Sequence, residues 1–221
     1  MEKFNNELIE RYGALAMEKQ LFFAGIVGKM NWNVDVKAGE ISFDNELTFL
    51  MQILGTFSHS SESWLWAWAN TKSGLSEKVI NLASELKNYG EKNKIDFLTE
   101  SSFEIERDDL HYIGLIGVGI SDSNGYYLGN YGAGTMCLTI ESKEIEKKFP
   151  NDHISIFSTF PQLISQFEIN HKKAFMHYLN QKKYKVEERE DNVIGIRVSG
   201  NEKVQAKFDK LERLTNLEDI K

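Results

Sequence analysis

Apolar residues recur at three- and four-residue steps from the start of the chain. Phe4, Leu8, Tyr12, Leu15, Phe22 and Ile26 follow this spacing with one longer gap and charges between them. The pattern predicts an amphipathic helix, and Gly25 and Gly28 place its exit near Lys29. The period then shortens to two. Trp32, Val34 and Val36 alternate with polar residues, Lys37-Ala38-Gly39-Glu40 turns, and Ile41 and Phe43 alternate again, which predicts a hairpin. Asp44-Asn45 breaks it, and residues 47–57 are apolar nearly throughout. The polar run 58–63 then leads into Trp64-Leu65-Trp66-Ala67-Trp68-Ala69-Asn70. Four antiparallel strands in meander order are expected.

That last heptapeptide holds three of the four tryptophans. Read as a strand, it puts Trp64, Trp66 and Trp68 on one face and Leu65, Ala67 and Ala69 on the other. Three indoles bury on the order of 600 Å², worth about 15 kcal/mol before entropy is subtracted. Exposed apolar patches seldom exceed ~300–600 Å², so the stripe is a core, a pocket wall or an interface. The reverse face is small, which leaves room for close helix packing by the first helix and the next. That next helix carries Leu75, Val79, Leu82, Ala83 and Leu86 and is closed by Gly90.

Further along, Asp96-Phe97-Leu98-Thr99 reads as a short β segment, and Asp108-Asp109 opens a helix through Leu110, Ile113, Leu115 and Val118. Residues 121–125 turn, and residues 126–140 read as one or two strands. The pattern stops in the charged stretch 143–150, which marks a boundary. Beyond it lie a helix over 161–179, a hairpin from Tyr184 to Ile196 turned at Asp191-Asn192, and a last helix carrying Val204, Phe208, Leu211 and Leu214. The expected class is α+β: an antiparallel sheet of about five to seven strands with helices mainly on one face, plus a small C-terminal α-β-β-α appendage. The expected domains are 1–148, carrying the tryptophan motif, and 149–221, a helix-hairpin-helix extension packed on it.

Charge narrows the partners. A net charge of −7 and a pI near 5.4 argue against nucleic acid or an anionic membrane, both of which ask for a basic face. Lys172, Lys173, Lys182, Lys183 and Lys185 form the one basic cluster, read as a solvated helix face running into a strand. The single cysteine, Cys137, excludes an intrachain disulfide and a thiolate-rich metal site. The start of the chain has no signal-peptide order and the longest apolar run is far short of a membrane span. A bacterial cytosol is the expected setting.

Candidate chemistry is thin. Asp108 and His111 are three apart on a helix and could converge, but there is no H-E-x-x-H and no cysteine pair, so no metal or cofactor is expected. His171 and His177 fall on nearly opposite helix faces. Cys137 lies in an apolar strand, and Ser58–His59–Glu62 share one turn, whereas catalytic triads draw on separate elements. Gly114, Gly117 and Gly119 and the Gly132-Ala133-Gly134 run read as packing or bend glycines. No catalytic residue is assigned. Asn70 reads as a turn-capping amide or as a ligand contact at the mouth of a Trp-lined pocket.

The stretch Ile53-Leu54-Gly55-Thr56-Phe57, then the tryptophan heptapeptide, then a helix ending in Tyr89-Gly90-Glu91 resembles a bacterial family of domains of unknown function. Its members share I-L-G-[ST]-F-S, W-x-W-A-W-A-N and a Y-G-E-like helix end. Leu98-Thr99 and the 126–139 strand region also fit. The resemblance covers roughly residues 1–141, leaves the tail beyond Pro150 unmatched, and implies no catalytic residues. Two readings of function follow. The first is a non-catalytic protein-interaction module that sequesters or protects against another protein, by analogy with immunity proteins. The second is a small-ligand-binding domain, with Trp64, Trp66 and Trp68 lining a pocket and Asn70, Tyr126 and Tyr127 at its rim. The partner, protein or small molecule, and the oligomeric state stay open.

Overall fold

The computed structural model describes residue 4 and residues 6–220. Elements α1 (Asn6–Leu8), a π-helical turn (Ile9–Gly13) and α2 (Ala14–Val27) come first. Next are β1 (Trp32–Asp35), β2 (Glu40–Phe43), β3 (Leu47–Ser58), β4 (Ser63–Trp66) and a 3-10 turn (Ala67–Ala69). They are followed by α3 (Glu77–Asn93), α4 (Asp96–Thr99), β5 (Ser102–Glu104), α5 (Asp109–Ser121), β6 (Gly125–Asn130), β7 (Gly134–Glu141) and α6 (Lys143–Lys148). The last elements are α7 (Ser155–Gln166), α8 (His171–Gln181), β8 (Tyr184–Glu188), β9 (Asn192–Arg197), β10 (Lys203–Phe208) and β11 (Leu214–Ile220). The chain divides into two units, one of Met1–Phe4 with Lys19–Phe149 and one of Asn5–Glu18 with Pro150–Lys221. The division therefore falls inside α2. No helix among the described residues is long and apolar enough to cross a membrane.

The first unit is built on a seven-stranded antiparallel sheet, and the α+β class expected from the sequence holds. The long strand β3 organises it. Along one edge β3 pairs with β2 over residues 47–50 and with β4 over 55–58, and along the other with β7 over 50–58. Helix α3 meets β3 between β2 and β4, where the Gln52 amide donates to the Lys78 carbonyl at 2.8 Å and accepts from the Leu82 N–H at 3.3 Å. The hairpin turns read from the sequence are in place: Gly39, Asp44 and Asn45 all take positive φ.

Helices cover both faces of this sheet rather than mainly one. A Cβ on Gly125 would meet Phe23 of α2 at 2.8 Å, while its neighbour Tyr126, on the opposite face, lies against Gly114 of α5. Phe23, Phe43, Met51, Ile53, Leu138 and Ile140, with Val79 and Ala83 of α3, form one buried cluster. On the α5 side, a Cβ at Gly114 would sit 2.5 Å from the Tyr126 ring and one at Gly117 2.5 Å from Leu54. Both glycines exist to bring the helix down onto the sheet.

Several elements differ from expectation, each for a local reason. The tryptophan strand stops at Trp66, where its ladder to β3 ends at the Gly55–Trp66 pair and Ala67–Ala69 turn into a 3-10 helix. Residues Asp96–Thr99 form a helical turn, not a strand, since adjacent Phe97 and Leu98 are both buried and a strand would point one outward. Helix α3 runs past Gly90 to Asn93; a Cβ at Gly90 would lie 2.6 Å from the Leu98 Cβ, so this glycine serves α3–α4 contact and not termination.

The second unit carries a four-stranded antiparallel sheet ordered β11-β10-β9-β8 together with α7 and α8. Its core holds Phe160, Phe175, Tyr178, Leu179, Val193, Val204, Ala206 and Phe208. The expected α-β-β-α appendage is corrected here. One helix over 161–179 is in fact two, because Asp152 Oδ1 caps the Ser155 N–H at 2.8 Å and Asn170 Oδ1 caps the Lys173 N–H at 2.9 Å. Pro161 lies inside α7, not in its first turn. The expected last helix is β10 and β11. Val204 and Phe208 are four apart, a spacing that both a helix and a strand can place on one face; buried Ala206 between them shows the period to be two.

Candidate functional site

The tryptophan motif does not act as one stripe. Trp64 and Trp66 project from β4 into the core at 0% and 1% exposure, and their rings meet edge to face at 5.3 Å. Trp66 Nε1 donates to the Phe97 carbonyl of α4 at 2.9 Å, whereas Trp64 Nε1 is buried without a partner. Gly55 opposes Trp66 across the β3–β4 ladder, and a Cβ there would stand 2.4 Å from both the Trp64 ring and the Leu65 carbonyl. The glycine of the I-L-G-T-F stretch is thus the clearance for the indoles. Trp68 sits in the 3-10 turn, half-buried. The Lys87 ammonium of α3 lies 4.6 Å above its ring, a cation–π contact.

The remaining candidates are dispersed. Asn70 closes the 3-10 turn through its backbone, its N–H donating to the Ala67 carbonyl at 3.2 Å and its carbonyl accepting from Ser73 Oγ at 2.8 Å. Tyr126 is buried in β6, and its hydroxyl meets His111 Nδ1 at 2.7 Å. Burial, helped by the nearby Cys137 sulfur, holds its hydroxyl well above the usual phenol range. Tyr127 faces the other side of the sheet, half-buried between Trp32 and Phe43 at ring distances of 5.9 and 5.1 Å, and burial raises its pKa too. Strands β3 and β7 separate β4 from β6, and Trp64 is in register with Asn130, four residues along β6 from Tyr126. Three spacings of ~4.8 Å across and four residues of ~3.4 Å along put Trp64 and Tyr126 about 20 Å apart. Trp64, Trp66 and Tyr126 share a face but no pocket.

The groups that sequence offered for chemistry are engaged in structural bonds. His59 spends both ring nitrogens on the β6–β7 turn, Nδ1 with the Gly132 carbonyl at 3.0 Å and Nε2 with Thr135 Oγ1 at 2.9 Å. Ser58 pairs with Ser60 and Ser61 with Ser63. Cys137 is fully buried, which pushes its thiol pKa far up and keeps it from the thiolate form a nucleophile needs. Among the described residues no group of three or more His, Cys, Asp and Glu side chains could hold a metal ion. A cavity of about 20 Å³ lined by Lys19, Asn124, Ile145, Glu146 and Phe149 has room for roughly one water.

The second unit contains a cluster that the sequence reading missed. Glu18, in the part of α2 that belongs to this unit, accepts from the Tyr178 hydroxyl at 2.5 Å, from Lys182 Nζ at 2.7 and 2.8 Å and from Ser155 Oγ at 2.6 Å. The side chains of Lys182 and Glu18 are 0% and 5% exposed. Burial is the main cause lowering the Lys182 pKa, opposed by the Glu18 charge; burial and then the Glu18 charge raise that of Tyr178 well above normal. Lys172, read as solvated, is buried as well and pairs with Glu188 at 2.9 Å.

A family model matches residues 6–143, more than half of the chain. The chain belongs to the DUF6882 family, a family of unknown function. No curated protein and no solved structure matches it. In this DUF6882 chain the match spans the seven-stranded sheet and also residues 6–18, and it ends at Lys143, the first residue of α6, ahead of the C-terminal segment.

Proposed function

We propose that this DUF6882 protein is a non-catalytic interaction module that binds another protein, with Trp68 at the contact. The observation that carries the reading is the split of the motif: two indoles are enclosed in the core while the third is turned by the Ala67–Ala69 helix to a half-buried position under Lys87. Trp68 packs on the core cluster with its Nε1 buried and leaves part of the ring exposed beside a cation, and a partly exposed indole is the residue type that anchors protein interfaces. The engagement of His59, His111 and Cys137 in internal contacts supports a binding role over a chemical one, and a negative net charge of −7 supports a protein partner over nucleic acid. The partner is held, not processed, in the manner of a sequestering or immunity protein.

The experiment is affinity capture from the native lysate with wild type and Trp68→Ala side by side, each first matched for melting temperature. The expected result is a partner retained in stoichiometric amount by wild type and lost by the variant. Repeated absence of any stoichiometric partner, or its equal retention by both proteins, would overturn the reading.

A further inference from the structure

We infer that one side of the N-terminal helix, residues 6–18, is a docking surface, and that the segment from Pro150 onward is its tethered occupant. The family match includes residues 6–18 and stops at 143, yet residues 5–18 group with the C-terminal segment and not with the rest of the matched domain. The segment has a body of its own, a four-stranded sheet packed on α8, with Phe160 of α7 against Phe175 and Tyr178 of α8. What it lacks is one helix, and the family domain supplies it.

The contacts have the character of helix-in-groove recognition. Leu8, Ile9, Ala14 and Met17 of the helix are buried, and its π-helical turn packs against α8. Gly13 lets it approach the segment closely, since a Cβ there would lie 3.1 Å from Leu163 of α7. Two buried acids read α8 from its two ends. Glu10 Oε1 accepts the Asn170 N–H at 2.9 Å, where the N–H groups of the helix start favour an anion. Glu18 takes Tyr178 and Lys182 at the other end. The acids are eight residues apart, about 12 Å along a helix, and they set the two helices parallel and in one register. A slip of one turn would leave the Lys182 ammonium buried without its carboxylate, so this pair specifies the alignment. While the segment stays in place, this side of the helix is closed to any other polypeptide.

The test uses the full chain with a site-specific protease sequence inserted between Phe149 and Pro150, cleaved after folding. The expected result is a nicked protein that elutes as one species and from which the C-terminal piece is released reversibly by moderate urea. Lys182→Met should weaken retention about a hundred-fold or more. Should that variant fail to fold, Glu10→Ala, which removes a single acceptor, should weaken it by a smaller factor. Elution of the cleaved piece as a separate folded body overturns the inference, because the segment would not need the helix. Precipitation of both pieces on cleavage overturns it too, because the segment would then be an inseparable part of one core.

Discussion

Replacing Trp66 by alanine removes an indole that is 1% exposed, packs edge to face on Trp64 and donates to the Phe97 carbonyl. Emptying such a site costs about 3–5 kcal/mol, and a buried carbonyl that loses its donor adds roughly 1 kcal/mol. The space cannot collapse easily, since the neighbouring wall is the β3 backbone at Gly55 and the Trp64 ring. A loss of about 4–6 kcal/mol corresponds to a fall in Tm of roughly 8–24 °C in a protein of this size. Against a total stability of ~5–15 kcal/mol the variant should be folded but marginal. Trp66→Phe keeps most of the volume and loses the hydrogen bond, so about 1–2 kcal/mol is expected. Thermal and urea unfolding followed by far-UV circular dichroism give both numbers. A Trp66→Ala protein that melts within a degree or two of wild type would refute the placement of the indole in the core.

The α5 glycines should respond unequally: Gly114→Ala meets the rigid Tyr126 ring and should cost about 1–2 kcal/mol, whereas Gly117→Ala meets chiefly the tip of the Leu54 side chain, whose rotation and the gain in helix propensity should make its cost the smaller of the two in urea unfolding. Lys182→Met should cost about 3–5 kcal/mol because it leaves Glu18 buried and unpaired, and the double variant with Glu18→Met should regain most of it. His171 Nδ1 accepts the Leu214 N–H at 2.9 Å, which requires a neutral ring, and burial is the first cause lowering its pKa from the usual 6.5. A base whose folded pKa is depressed gives stability that is present above its unfolded value and lost as pH falls. Hydrogen exchange, corrected for its intrinsic pH dependence, should therefore show the Leu214 amide losing protection below about pH 6.5; protection unchanged down to pH 5 would contradict this.

Local patterns were legible where one period and one turn decided the structure. Residues 32–43 gave the first hairpin because alternation and the Gly39 turn agree. The α5 start followed from its paired aspartates. The misreadings share a cause: a spacing of four fits two periods, as at Val204 and Phe208, and only Ala206 between them discriminates. The end of the tryptophan strand could not be read from the heptapeptide because the alternation continues through Trp68 while the ladder to β3 ends at Trp66. Distance hid the rest. Glu18 lies within an apolar helix stretch, and its partners Ser155, Tyr178 and Lys182 stand 137, 160 and 164 residues away. A lysine beside another lysine reads as solvated until the fold shows which of the two is covered.

The division of the tryptophan motif into an enclosed pair and one half-buried indole is tested most directly by fluorine NMR. All four tryptophans would be replaced by 5-fluorotryptophan, assigned by single Trp→Phe substitutions and exposed to a soluble paramagnetic relaxation agent. The expected spectrum keeps the Trp64 and Trp66 resonances sharp and broadens that of Trp68. Broadening of Trp64 or Trp66 to the same degree as Trp68 would contradict the division.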